Sequence, residues 1–434
     1  MEDKKYLEKL NIYYMNAKSF GDMQSLPALL PFDDRVVDFL SEFSSAIRKD
    51  AVAKSIPVLQ TFAFFIRKAN LLQMKEEHSI TDRIGKGLSL HIAPSNVPIN
   101  FAYSMVSALL AGNPCIVRAS SKDFDETKII CRLIKEVQES IQNTIQNIVQ
   151  DKDANEGRVA DIFCYMAVIS YPHDKEITDY LSSLVNVRVI WGGDNTIAEI
   201  RKSPIRPRCT EVCFADRYSI LFVDAGYFVS QSDGSDKEQS AKYLETMAKQ
   251  FFNDTYLFDQ NACGSPRLIY WYGETSDIEK AKPLFWDAIH GYLKDKYEVQ
   301  PVIAVDKTTM AYKVAAEIDD SRIIPSEDNI ITRVEIDDFN QLPSGKTLAD
   351  FEAPGGFFLE YSSDSLEGLK EIVDERFQTM TFVCDENKAK ALKDYIVSNG
   401  LKGIDRIVPI GHSADFGLVW DGYDLIDSFT RRIV

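Results

Sequence analysis

The chain has 434 residues, enough for two or three domains with substantial cores. Hydrophobic side chains make up 45 % and charged ones 26 %, the proportions of an ordinary globular protein. The 49 basic against 66 acidic residues give a formal charge of −17, which argues against general affinity for nucleic acid or an anionic membrane surface.

Seven cysteines are present without a CxxC pair or a dense framework, a pattern that fits a reducing cytosol. Cys209 and Cys213, with five histidines in the whole chain, make a poor zinc site, so no metal is expected. The stretch Met1 to Lys5 lacks the apolar core of a signal peptide. The longest apolar tract, Val97 to Gly112, carries Asn100, Ser104 and Ser107 and is too short and too polar to span a bilayer. A cytoplasmic protein without membrane insertion is expected.

Residues 1–32 read as irregular. A helix is predicted to start at Phe32-Asp33-Asp34, with Val36, Val37, Phe39, Leu40 and Phe43 at helical spacing. A second helix is predicted over Pro57 to Leu72, with Pro57 suited to its first turn. From Gly85 the rhythm changes. Leu88 to Ala93 reads as a buried strand, Asn100 to Leu110 as a helix ending at Gly112, and Cys115 to Arg118 as a second strand. Helix Phe124 to Ile141, strand Phe163 to Ser170, helix Lys175 to Leu184 and strand Val187 to Trp191 follow, and a helix then runs through Arg201. This alternation predicts a parallel, doubly wound sheet. Ligands of such sheets sit at the carboxyl ends of the strands, here Pro94–Asn96, Arg118–Lys122 and Gly192–Asp194.

A boundary is expected near Ser203 to Arg208, and a second α/β unit after it. Its strands are predicted at Tyr218–Asp224, Leu268–Tyr272, Asn329–Val334, Gly356–Tyr361, Thr379–Cys384 and Arg406–Ile410. Its helices are predicted at Lys237–Asp254, Thr275–Tyr297, Lys307–Ile318, Ser365–Arg376 and Glu386–Ser398, with Ser230–Asp236 as a polar surface loop. Three parts result: 1–208 with N-terminal helices and a cofactor-binding domain, 209–405 with the cysteine, and a C-terminal segment 406–434 near the active site or a subunit interface. Between a helix and a strand lies Asp259-Gln260-Asn261-Ala262-Cys263-Gly264. A cysteine on a polar loop is a candidate nucleophile, because only a reachable thiol can attack.

Three motifs stand in order: Gly87 to Pro98 continuing through Leu109 to Lys122, then Trp191-Gly192-Gly193-Asp194-Asn195-Thr196, then Asp259 to Cys263. Together they resemble the aldehyde dehydrogenase superfamily, and more closely the LuxC-type acyl-CoA reductases of bacterial luminescence. The ending Val408-Pro409-Ile410-Gly411, followed by Trp420 to Leu425, is similar to that family too. The resemblance implies an α/β, aldehyde dehydrogenase-like fold: two doubly wound α/β domains with a helical N-terminal segment.

It also implies roles. Cys263 is the expected nucleophile. Asn96 matches an asparagine whose amide donates to the oxyanion, with the Cys263 N–H as second donor; by itself Asn96 reads sooner as a turn former, and its shared order with Cys263 reverses that preference. Arg118 matches a ribose-contacting lysine. Where NAD-preferring members often carry a glutamate, this chain has Ser121 beside Lys122, and a hydroxyl and a cation accept a 2′-phosphate, so NADPH is the expected cofactor. A solvated strand end is the alternative for these residues. Gly192 and Gly193 stand where the cofactor diphosphate meets a helix start, and Pro94, Ser95, Ser120 and Thr196 fall in the same motifs. Glu211 roughly matches the glutamate that activates water in aldehyde-oxidising members. Its context, Glu211-Val212-Cys213-Phe214-Ala215-Asp216, departs from that pattern and leaves thiol activation or a structural role open.

The expected activity is NADPH-dependent reduction of an acyl-CoA to an aldehyde through an acyl-cysteine. The alternatives are an aldehyde dehydrogenase working in the oxidising direction and a non-catalytic acyl-transfer subunit. The implied partners are acyl-CoA or an acyl-donor subunit, a second copy of the chain in a homo-oligomer, and an acyl-protein synthetase.

Overall fold

The computed structural model describes residues 2–78, 80–148, 161–326, 328–339 and 342–434. The chain divides into two compact units, Met1–Ala215 with Phe416–Val434, and Asp216–Asp415.

The first unit is built on strands β1 (Asn11–Met15), β3 (Ser89–Ile92), β4 (Cys115–Arg118), β5 (Met166–Ser170), β6 (Val187–Trp191) and β7 (Thr210–Phe214), in the order β1-β5-β4-β3-β6-β7. β3 to β7 are parallel, and β1 closes one edge antiparallel to β5. The chain therefore winds outward from β3 in both directions, and β3 and β6 flank the point where the order reverses. The strands are nearly continuous apolar runs because helices cover both faces. Leu90, Ile92, Ile116 and Ile169 pack on Ile177 and Leu181 on one side. Val117, Val168, Val187 and Val189 share the other core with Phe39, Phe43, Met105 and Leu109.

His91, fully buried on β3, sits between two serine hydroxyls. Ser104 Oγ, 2.6 Å from Nδ1, already accepts from Trp191 Nε1 at 2.9 Å, and Ser89 Oγ, 3.1 Å from Nε2, donates to the Pro114 carbonyl at 3.0 Å. These roles assign the proton to Nε2. Burial pushes the imidazole down to about 3, so it is neutral and ties β3 to β6 through Trp191.

The second unit carries β8 (Tyr218–Asp224), β9 (Pro266–Tyr272), β10 (Ser321–Ile324), β11 (Thr332–Ile336), β12 (Phe357–Ser363), β13 (Phe377–Val383) and β14 (Arg406–Pro409), in the order β10-β11-β12-β9-β8-β13-β14. Only the β10–β11 pair of this sheet is antiparallel. Its two faces bury Ile220, Phe222, Leu268 and Tyr270 on one side and Leu221, Val223, Ile269 and Trp271 on the other.

Four expectations are corrected. Residues 1–32 are not irregular: helices Glu2–Leu7 and Phe20–Ser25 flank β1, a five-residue edge strand whose partner lies far along the chain. The helix expected over Pro57 to Leu72 is two, Pro57–Phe65 and Lys68–Glu77. Arg67 between them is extended, and Asn70 Nδ2 takes up the Phe65 carbonyl at 2.7 Å. Ser230–Asp236 is a loop only in part, since helix Ala225–Ser232 enters it. The boundary at 208 falls instead after β7, which pairs with β6 in the first sheet. The last residues return to the first unit as well: strand Thr430–Arg432 pairs with β2 (Arg83–Gly85).

Gly112, at φ +82°, carries a tight backbone crossing: a Cβ there would stand 2.1 Å from the Leu29 carbonyl oxygen. Gly291, exposed inside helix Thr275–Leu293, would meet nothing within 4 Å. Gly112→Ala is expected to cost at least about 2 kcal/mol, and Gly291→Ala to stabilise by up to about 1 kcal/mol. Urea unfolding of the two variants checks the pair; equal stabilities would refute the close approach at Gly112.

Candidate active site

The cysteine stands at the amino end of β9, at the apex of a tight turn. Helix Lys237–Thr255 runs into a short 3₁₀ turn, Tyr256–Phe258. Asp259 and Gln260 then take left-handed backbone, at φ 50° and 60°. Two successive non-glycine residues in that region cost on the order of 1 kcal/mol each and persist only where neighbours fix them. Tyr297 OH donates to Asp259 Oδ1 at 2.8 Å. The Ser265 N–H closes the turn on the Ala262 carbonyl at 3.0 Å, so Cys263 and Gly264 are its central residues. Cys263 is exposed, whereas Gly264 and Ser265 are buried.

Gln260, fully buried, fixes this turn to the sheet. Its Nε2 donates to the Pro266 and Phe357 carbonyls, both at 2.9 Å. Its Oε1 accepts from the Gly356 and Phe357 N–H groups at 2.8 and 3.1 Å. The amide thus bridges the starts of β9 and β12. Ser219 Oγ, on β8, donates to the Cys263 carbonyl at 2.7 Å. Ser265 Oγ donates to the Asp254 carbonyl at 2.7 Å.

The Asp254 carboxylate binds the loop after β14, accepting from Gly411 N–H at 2.6 Å and Ser413 N–H at 2.8 Å. That loop lies against the cysteine turn: a Cβ on Gly264 would be 2.9 Å from the Ser413 carbonyl oxygen. Arg406 holds the loop through the carbonyls of His412, Ser413 and Asp415, and His412 Nδ1 lies 2.7 Å from Asp415 Oδ2. Asp254 is 3 % exposed; burial raises its carboxyl to about 6 although both N–H donors pull the other way.

The first unit gathers the expected cofactor residues on one edge. Pro94, Ser95 and Asn96 follow β3, Ser120, Ser121 and Lys122 follow Arg118 at the end of β4, and Gly192, Gly193 and Thr196 follow β6. Ser95, Asn96, Ser121, Lys122 and Thr196 are exposed. Gly193 caps helix Asp194–Arg201, and a Cβ on Gly192 would crowd the Thr196 side chain at 3.1 Å. Ser120 Oγ accepts the Lys122 N–H at 3.1 Å and shapes the turn. The Arg118 guanidinium lies over the Tyr171 ring, 4.7 Å from its centroid. Its Nη2 donates to the Tyr171 carbonyl at 3.2 Å, and its Nε is buried without a partner among the described residues.

Glu211 is not on that edge. It lies toward the amino end of β7, beside Arg188, whereas Phe214 is beside Trp191 at the carboxyl end. Three residue steps of strand separate the two, about 10 Å. Arg188 Nε reaches Oε2 at 2.7 Å, Arg188 Nη2 binds the same oxygen, and Arg201 Nε reaches Oε1 at 2.7 Å. Burial acts to raise this carboxyl, but the bonds from Arg201 and Arg188 outweigh it and the net shift is downward. A carboxylate so paired is a poor base.

Gln260, Asp254 and Ser219 were invisible as functional residues in the sequence. Gln260 lies inside the cysteine motif, and a buried amide has no periodic signature.

The raised Asp254 carboxyl has a sign. The folded form binds its proton more tightly than the unfolded one, so this stability is full below about 4 and is lost as pH rises through about 6. Asp254→Asn removes the titration. Between pH 7 and pH 5, wild type is expected to gain about 1 kcal/mol on the variant. Denaturant melts at the two pH values measure this, and a pH-independent difference would contradict it.

Comparisons with known proteins give the family and the fold. The family model described as acyl-CoA reductase (LuxC) matches residues 9–325. A long-chain acyl-protein thioester reductase of Aliivibrio fischeri is 26 % identical over 216 residues, 49 % of this chain and 36 % of its own. One of Photorhabdus laumondii is 23 % identical over 351 residues, 78 % of this chain and 61 % of its own. The chain thus spans only part of the length of these relatives. Among solved structures, aldehyde dehydrogenase 21 of Physcomitrella patens is similar with TM-score 0.56 and 12 % identity, over 95 % of this chain and 86 % of that one. The NADP-dependent glyceraldehyde-3-phosphate dehydrogenase of Bacillus halodurans gives 0.57 and 12 %, over 95 % and 87 %. The fold is that of the aldehyde dehydrogenases, and the chain belongs to the acyl-CoA reductase (LuxC) family.

Proposed function

We propose that this protein reduces an acyl thioester to an aldehyde with NADPH, through an acyl group carried on Cys263. The observation that carries the reading is an exposed cysteine at the apex of a hydrogen-bonded turn whose Gly264 and Ser265 are buried, in a chain of this family. The names of the relatives favour a long acyl chain, delivered as acyl-CoA or on a protein such as an acyl-protein synthetase.

The first unit suits an anionic dinucleotide. Its strand ends meet at the reversal point of a doubly wound sheet, Gly192 and Gly193 lead into a helix start, and Arg118 keeps a buried Nε without a partner among the described residues. Pro94, Ser95, Ser120 and Thr196 would line the cofactor, with Arg118 at the ribose and Ser121 and Lys122 at the 2′-phosphate. When bound, NADPH supplies the hydride.

The Cys263 thiolate attacks the thioester carbonyl carbon, forming a C–S bond. The donor thiolate leaves with the electron pair of the old bond and needs little acid help, since thiol pKa values lie near about 8.5. The Asn96 amide and the Cys263 N–H are the proposed donors to the oxyanion, each worth about 2.7–4 kcal/mol in such sites. After hydride delivery, Cys263 departs from the thiohemiacetal carbon as the aldehyde forms. Glu211 takes no part as a base, because Arg188 and Arg201 hold both its oxygens. Acyl transfer to water is thereby disfavoured, as an aldehyde-forming enzyme requires. This pairing also weighs against the oxidising alternative.

The test supplies purified protein with NADPH and either long-chain acyl-CoA or an acylated protein, and follows cofactor oxidation and free thiol together. Cys263→Ser is expected to abolish turnover and the acyl adduct seen by mass spectrometry; retained turnover would sink the assignment. Lys122→Ala is expected to weaken NADPH about 10- to 100-fold while sparing NADH, as loss of a charged phosphate contact should. Equal losses for both cofactors would remove the 2′-phosphate role.

A further inference from the structure

Lys307 is a buried cation whose nitrogen, among the described residues, meets backbone carbonyls and no carboxylate. It lies on helix Pro301–Glu317, and its side chain is fully buried. Its Nζ donates to the Ile330 carbonyl at 3.2 Å, the Gly355 carbonyl at 2.8 Å and the Asn329 carbonyl. An ammonium has three N–H bonds, and three backbone carbonyls take them. Asp328, whose charge acts on the amine, is itself held by the Ile330 N–H at 2.9 Å and by His290 at 2.7 Å. Burial lowers the amine to about 8, which leaves it charged at neutral pH.

What these carbonyls belong to gives the lysine its meaning. Gly355 and Gly356 form a turn with φ +70° and +94°, so close-packed that a Cβ on Gly355 would stand 2.4 Å from Ile303 and one on Gly356 would stand 2.5 Å from the Ile330 carbonyl oxygen. The Gly355 N–H donates to the Asp259 carbonyl at 2.9 Å, and the Gly356 N–H donates to Gln260 Oε1 at 2.8 Å. One face of the glycine turn is thus held by Lys307. The other holds the two left-handed residues that lead into Cys263.

We propose that Lys307 is a positioning residue for Cys263: its ammonium, bound by three carbonyls, locks the Gly355–Gly356 turn onto Asp259 and Gln260 and so sets the cysteine turn. The lysine does the work of a bound monovalent cation, supplied by the chain itself. The functional consequence rests on Cys263 being the acyl acceptor. The mechanical one does not.

The test uses Lys307→Ala, which removes the equivalent of n-propylammonium, and Lys307→Gln, which keeps two donors. Hydrogen exchange by mass spectrometry is followed at 259–265, at 353–358 and, as reference, at 218–224. In the alanine variant, exchange is expected to accelerate at least tenfold in the first two segments only, with a milder change in the glutamine variant. Added n-propylammonium should restore protection, and n-propanol should not. The rate of Cys263 acylation by acyl-CoA should fall about tenfold and return with the same cation. Wild-type exchange in both variants overturns the proposal. So does acceleration equal in all three segments without rescue, which would make Lys307 a general stabiliser. If exchange and rescue behave as expected while the wild type itself accepts no acyl group, the positioning stands and the reductase reading fails.

Discussion

The site depends on one buried amide. Gln260 uses two donors and two acceptor positions to match two carbonyls and two N–H groups at the starts of β9 and β12. Removing it would leave four buried backbone groups without partners, each at about 1–3 kcal/mol. No other side chain of its size presents donors and acceptors on opposite branches; a glutamate would set its charge against two carbonyls. Because these bonds hold Gln260 and Asp259 in left-handed backbone, the chain turns sharply enough to bring Cys263 to an exposed apex while Gly264 and Ser265 stay buried.

Around that amide two buried charges of the second unit rest on backbone groups. Asp254 takes two N–H groups of the 411–413 loop, and Lys307 takes three carbonyls beside the Gly355–Gly356 turn. A charge held this way costs desolvation but fixes irregular backbone in a way that apolar packing does not. The turn at Cys263 is irregular backbone of this kind. In the first unit the buried polar groups serve regular structure instead: the His91, Ser104 and Trp191 chain ties adjacent strands, and Glu211 with Arg188 and Arg201 ties β6, β7 and helix Asp194–Arg201.

Glu211 shows how far motif matching reaches. Its alignment with a water-activating glutamate is approximate, and the register of β7 against β6 sets it three residues from the carboxyl edge, between two guanidinium groups. A sequence motif carries residue type and order; the environment that decides between base and ion pair comes from strand pairing.

Much of the fold was legible because it is local. Strands Cys115–Arg118 and Val187–Trp191 and helices Asn100–Leu110 and Lys175–Leu184 fall where apolar runs, helical spacing and end signals put them. The alternation of strand and helix was enough to imply a doubly wound sheet, and the cysteine was readable as a loop residue from its flanks. Tertiary structure alone decided the rest. The edge strand β1 finds its partner at Ser170, strand Thr430–Arg432 returns to β2, and Gln260 reaches Gly356 across 96 residues. Lys307 reads in sequence as one more polar residue at a helix start, yet it is wholly buried. Periodicity records which face of an element is apolar. It holds no record of which distant carbonyl or N–H group a buried polar atom will meet, and in this protein those meetings build the cysteine turn.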